Sequence, residues 1–106
     1  DGRQLDTLLA GLPISKRDEI LARFFVETDD AIRSIVSDDL PKDALQAKVH
    51  ACAGNCGTFG ASAIQSALAD IETMLKRGRD IAPKKLAALV PLWQKTRRDM
   101  LDQSPS

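Results

Sequence analysis

Along the chain, apolar side chains recur at intervals of three and four, whereas the period-two alternation of Val, Ile, Thr and aromatic residues that marks strands is missing. Ser15-Lys16-Arg17-Asp18 reads as a capping box, with Ser15 accepting from the first free amides and Asp18 reaching back. Leu21, Phe24, Phe25, Thr28, Ile32, Ile35 and Val36 continue from it as one stripe, which predicts a helix from about Ser15 to Ser37. Pro41, where a helix's first turn tolerates the missing donor, opens a second segment in which Leu45, Val49, Cys52, Cys56 and Phe59 form a bundle seam. Gly57 and Gly60 around Thr58 predict a turn, after which Ile64, Leu68, Ile71 and Leu75 repeat up to Gly78, the expected stop. Pro83 starts the last helix, carried by Leu86, Leu89, Val90, Trp93, Arg97, Met100 and Leu101 and kinked at Pro91, whose ring removes an internal hydrogen bond. Ahead of all this, Leu5, Leu8 and Leu9 predict a short helix over one end, separated from the next by Gly11 and Pro13.

Each long helix has one apolar side and the connections are short, so neighbours are expected to run antiparallel. The expected fold is all-α, an up-and-down four-helix bundle with a short amino-terminal helix as a lid. A single domain over residues 1–103 is expected, with 104–106 a disordered tail. A length of 106 residues leaves no room for two independent cores. The 15 Lys and Arg balance 15 Asp and Glu and are scattered among them, which argues against nucleic acid as a partner. The longest apolar runs, such as Leu86 to Val90, fall far short of the roughly 18 to 20 residues that span a bilayer, and no signal peptide is visible. No direct membrane contact is therefore expected. Two Cys are too few for a disulfide scaffold, which points to a reducing cytoplasm. The chain begins at Asp1 rather than Met and reads as a piece of a longer protein, whose remainder has room for a membrane anchor.

The chain has one His, and a helical wheel decides which side it takes. With Leu45 at zero, Val49, Cys52, Cys56 and Phe59 fall within about 40° of it, whereas His50 falls near 140° and points away from the core. Gln46, Ala47, Ala53, Gly54, Gly57 and Ala61 share the side of His50, and apart from Gln46 all are Gly or Ala. Gly54 inside a helix costs on the order of 1 kcal/mol relative to Ala. A purely structural helix has no reason to accept that cost beside a lone exposed imidazole, so the cleared face predicts that something comes close. A solvent-facing imidazole near neutral pH keeps one nitrogen lone pair free as a nucleophile.

His50-Ala51-Cys52-Ala53-Gly54-Asn55-Cys56-Gly57-Thr58-Phe59-Gly60-Ala61 resembles the signature of the histidine-containing phosphotransfer (HPt) domain family, H-x-L-K-G-[SA]-[SA]-x-x-[LIVF]-G-[AL]. The His, the Gly four later, the apolar residue nine later and the Gly-Ala pair after it match. Phe24-Phe25 upstream and Leu68-x-x-Ile71-Glu72 downstream are similar too, so the resemblance covers nearly the whole chain. It implies that His50 accepts a phosphoryl group from an aspartyl phosphate on one response-regulator receiver domain and passes it to another, as a phosphorelay intermediate of two-component signalling. It also implies a carrier rather than a complete enzyme, in the cytoplasm, as the terminal module of a hybrid sensor histidine kinase or the cytoplasmic portion of an inner-membrane one. No cofactor is expected in the domain itself, a divalent metal is expected on the partner receiver, and a monomer is the default. Gly54 and Gly57 are expected to give the partner clearance, and Gln46 to support the ring or the phosphoryl group.

One departure stands out. The family usually carries Lys three residues after the His, where its charge helps neutralise the phosphoryl oxygens, and here that residue is Ala53. Lys48 projects to another side, and Gln46 brings no charge. Slower transfer or narrower partner choice is expected, and the alternative is a pseudo-HPt module that docks receiver or kinase domains without being phosphorylated.

Other constellations fare worse. His50, Cys52 and Cys56 invite a zinc reading, but both thiols lie in the Leu45 stripe while the imidazole points elsewhere, and no further His or Cys completes four ligands. The thiols read as small core filler, poorly aimed for a disulfide. Lys76-Arg77-Gly78-Arg79 and Lys95-Thr96-Arg97-Arg98 read as dipole complements and solvated surface, Asp29-Asp30 and Asp38-Asp39 as helix-end or loop acids, and Trp93 as core.

Overall fold

The computed structural model describes residues 9–37 and 39–103. Among the described residues the helices follow one another as α1 (Ile14–Val36), α2 (Lys42–Thr58), α3 (Ser62–Lys76), the short α4 (Pro83–Ala87) and α5 (Leu89–Gln103). Among the described residues there is no strand. α2 packs on α1 and α3, and α5 closes the ring by packing on α3 and α1, giving a four-helix bundle with α4 as the first turn of its last rod. Leu5 and Leu8 of the expected lid, and the expected tail 104–106, lie outside the described residues. Leu9 is described and buried in the core, and its carbonyl accepts from Arg17 Nε at 3.1 Å.

The three-and-four spacing is what lets these segments share one core. α1 buries Leu21, Phe24, Phe25, Thr28, Ile32 and Ile35; α2 buries Leu45, Val49, Cys52 and Cys56; α3 buries Ile64, Leu68, Ile71 and Leu75. Leu86, Leu89, Trp93 and Met100 complete the core from α4 and α5. Both Cys residues are free thiols inside it. Cys56 keeps its proton, pushed up by its hydrogen bond to Cys52 and by burial. Phe24 stacks on Phe59 at 4.2 Å between centroids and meets the edge of Trp93 at 5.7 Å, so three elements converge on one ring.

Several local expectations need correction. The capping box at Ser15 does not form: α1 already starts at Ile14, Pro13 caps it, and the Pro13 carbonyl receives the amides of Lys16 and Arg17. Pro fixes an extended entry without any side-chain cap. Pro41 likewise precedes α2 rather than occupying its first turn. The last rod does not kink at Pro91 but breaks three residues earlier, at Ala88. Without an N–H, Pro91 cannot bond the carbonyl four residues back, and its ring crowds that carbonyl, so the helix restarts at Leu89 with Pro91 in its opening turn. Leu101 is half exposed rather than part of the stripe, and Arg97 leaves the core to lie over the Phe25 ring at 5.2 Å. Asp29 is not a helix-end acid; it sits within α1 and accepts the Trp93 indole N–H at 2.6 Å. Asp30, also within α1, pairs with Arg33.

Two glycine turns set the frame of the α2–α3 hairpin. Gly60, at φ 74°, ends α2, with its amide on Gly57 O and that of Ala61 on Cys56 O. Gly78, at φ 73°, ends α3 in the same way, its amide on Leu75 O and that of Arg79 on Met74 O. Both are Schellman closures that need a left-handed residue.

Candidate functional site

His50 lies in the middle of α2 on the side away from the core, with its side chain 73% exposed. Across the hairpin, α3 runs back alongside α2 and brings Glu72 to it: His50 Nδ1 lies 2.6 Å from Glu72 Oε2. An ionised carboxylate offers only acceptors, so Nδ1 carries the proton and donates it. Glu72 itself is largely enclosed, with 13% of its side chain exposed, and its Oε2 also accepts from Lys76 Nζ at 3.3 Å one turn further along α3. Burial pushes the Glu72 carboxyl up, but the hydrogen bonds from His50 and Lys76 outweigh it and hold the group below the usual carboxylate range. The site thus contains a fixed negative charge behind the ring.

Gln46 and Ala47, one turn before His50, line the same shallow depression, together with Asp43, Glu72 and Lys76. Gly54, one turn after His50, is exposed, and a Cβ built there would meet nothing within 4 Å, so this stretch of α2 is bare toward solvent. Gly57 is different. A Cβ there would come within 2.5 Å of Nε2 at the end of the exposed Gln65 side chain of α3. Gly57 itself remains partly exposed. Ala53 and Ala61 leave the open face: Ala53 is 7% exposed and Ala61 3%. The wheel put Ala53 at the edge of the open side, next to the packed seam, and Ala61 lies beyond the end of α2, so the α2 wheel does not apply to it. Lys48 borders a separate crevice with Glu27, Thr28 and Cys52 between α1 and α2. The two thiols are buried, whereas the imidazole is exposed.

Sequence reasoning on the residues alone missed Glu72 and the partner role of Lys76. The available signal was the position of Glu72 beside Ile71, on the flank of the α3 stripe; which neighbouring helix that flank faces is decided only by packing. Lys76, expected as a solvated helix-end cation, is tied into the site through Glu72.

Among the described residues no helix is long and apolar enough to cross a membrane. The family model of the Hpt domain matches residues 19–105 of the chain. No curated protein and no solved structure matches it.

Proposed function

The chain belongs to the Hpt domain family, and from that premise we propose that it is a phosphorelay intermediate whose His50 accepts a phosphoryl group from a receiver-domain aspartyl phosphate and hands it to a second receiver. Membership makes it a phosphotransfer carrier module of two-component signalling rather than a classical enzyme. The observation that carries the assignment to His50 is the exposed imidazole whose Nδ1 is engaged by Glu72, which leaves Nε2 as the nucleophile.

The chemistry follows from that geometry. Nε2 attacks phosphorus in line with the acyl oxygen, the P–O bond breaks, and the receiver's Asp leaves as a carboxylate with the bonding pair. The ring gains positive charge, and the Glu72 carboxylate holding the Nδ1 proton offsets it, as an acid behind a catalytic imidazole does. Phosphoryl transfer depends chiefly on positioning and charge neutralisation, so little else is required of the carrier. The receiver brings the divalent metal; Gly54 gives its backbone room, and Gln46 supports the ring or the phosphoryl group. The expected setting is cytoplasmic and bacterial, with the domain monomeric and its parent a hybrid sensor histidine kinase.

Ala53 in place of the family's Lys favours a second reading, a pseudo-HPt module that binds receiver or kinase domains without being phosphorylated. Incubating the domain with a phosphorylated receiver separates the two. Label moving to the wild type and not to His50→Gln is the expected result; tight receiver binding with no label on either protein would replace relay by docking.

A further inference from the structure

The residue three after His50 is Ala53, an uncharged side chain only 7% exposed, so no charge exists where the family places its cation. An anionic phosphoryl group at His50 would still need one. Asp43, in the same depression, makes the need greater by adding a negative charge. We propose that Lys76 of α3 supplies the positive charge that neutralises the phosphoryl oxygens on His50, a task moved from the histidine's own helix to its neighbour. This deepens the acceptor reading and rests on it.

Three observations carry the assignment. Lys76 is the one cation among the described residues lining the depression that holds His50. Its Nζ and the His50 Nδ1 bond to the same carboxylate oxygen, at 3.3 and 2.6 Å, so the ammonium and the ring are held together through a single atom. Its side chain is 59% exposed, and an ammonium has three donors, of which Glu72 uses one. A flexible four-carbon stem lets the others swing toward an oxygen on Nε2 without losing the charge from the site. Other cations on α2 are placed elsewhere: Lys42 Nζ lies 2.7 Å from Asp80, and Lys48 borders the crevice shared with α1.

Phosphoramidate tests this without any docking partner. The P–N bond of the donor breaks and ammonia leaves, while the Nε2 lone pair forms the new N–P bond and the Nδ1 proton stays on its bond to Glu72. The 106-residue chain, its Lys76→Gln and Lys76→Arg variants and His50→Gln are incubated with phosphoramidate, and phosphohistidine is followed by phosphorus NMR, with the Trp93 emission melt checking that each is folded. Lys76→Gln should label roughly tenfold more slowly than wild type, as expected for loss of one exposed charge contact, and Lys76→Arg should retain most of the rate. The gap between wild type and Lys76→Gln should narrow as salt is raised, which a purely structural effect would not do. Labelling of Lys76→Gln at the wild-type rate or faster overturns the proposal while leaving His50 as acceptor. No label on wild-type His50 overturns the acceptor reading itself.

Discussion

The 2.6 Å bond between His50 and Glu72 joins residues 22 positions apart into one group, and it links protonation to stability. Because the Glu72 carboxyl titrates below its ordinary value of 4.5 when folded, its ionised form stabilises the native state above that pH. That contribution is lost as pH falls through the lower folded value. Wild type should therefore exceed Glu72→Gln in urea stability near neutral pH, and the difference should shrink in acid once the carboxyl is protonated. An advantage that persists unchanged in acid strong enough to protonate the folded carboxyl would contradict the link. The measurement is equilibrium unfolding followed by the emission of Trp93, the single Trp of the chain.

At the scale of helices and turns, glycine has opposite meanings at different positions. Gly78 needs its positive φ of 73° and is surrounded by open space, so Gly78→Ala should cost about 1–2 kcal/mol through backbone strain alone. Gly54 has helical backbone and equally open surroundings, so Gly54→Ala should stabilise the fold by about 0.5–1 kcal/mol. The same methyl group should weaken transfer from a receiver while leaving labelling by phosphoramidate nearly unchanged. Urea midpoints at constant slope give the first pair of effects, and the two donors compared side by side give the second. A Gly54→Ala protein that is more stable and equally fast with a receiver would remove the clearance role of this position.

Across the whole bundle, α1 and α5 are tied by a polar contact as well as by rings. Trp93 donates to Asp29 at 2.6 Å, Arg97 Nε approaches the other Asp29 oxygen at 4.0 Å, and the Arg97 guanidinium lies over Phe25. Removing the acceptor leaves an indole N–H in a residue only 3% exposed without its partner, so Asp29→Ala should cost about 1–3 kcal/mol, and Asp29→Asn, which keeps a carbonyl oxygen, distinctly less. The site lies on the α2–α3 hairpin, so phosphoramidate labelling of Asp29→Ala should match wild type at temperatures where it is folded. Equal urea midpoints for Asp29→Ala and wild type would show that water satisfies the indole as well as the carboxylate does.

Periodicity was enough for the helices, because a stripe at three and four can bury its side chains only as a helix against other helices: Leu45, Val49, Cys52 and Cys56 lie where that rule puts them. The same wheel turned His50 outward, and its surrounding motif carried the family resemblance. Entry points were less legible, since Pro13 and Pro41 set them through backbone geometry while Ser15 only resembled a cap. What tertiary structure alone decided was which flank meets which helix. A wheel gives the angle of a residue about its own axis but not the neighbour at that angle, so Ala53 was read as open when packing buries it, and the Gln65 side chain of α3 beside Gly57 was not visible at all. For the same reason Glu72 and Lys76, unremarkable on their own helix, become the charged backing of the imidazole only when α3 folds back along α2.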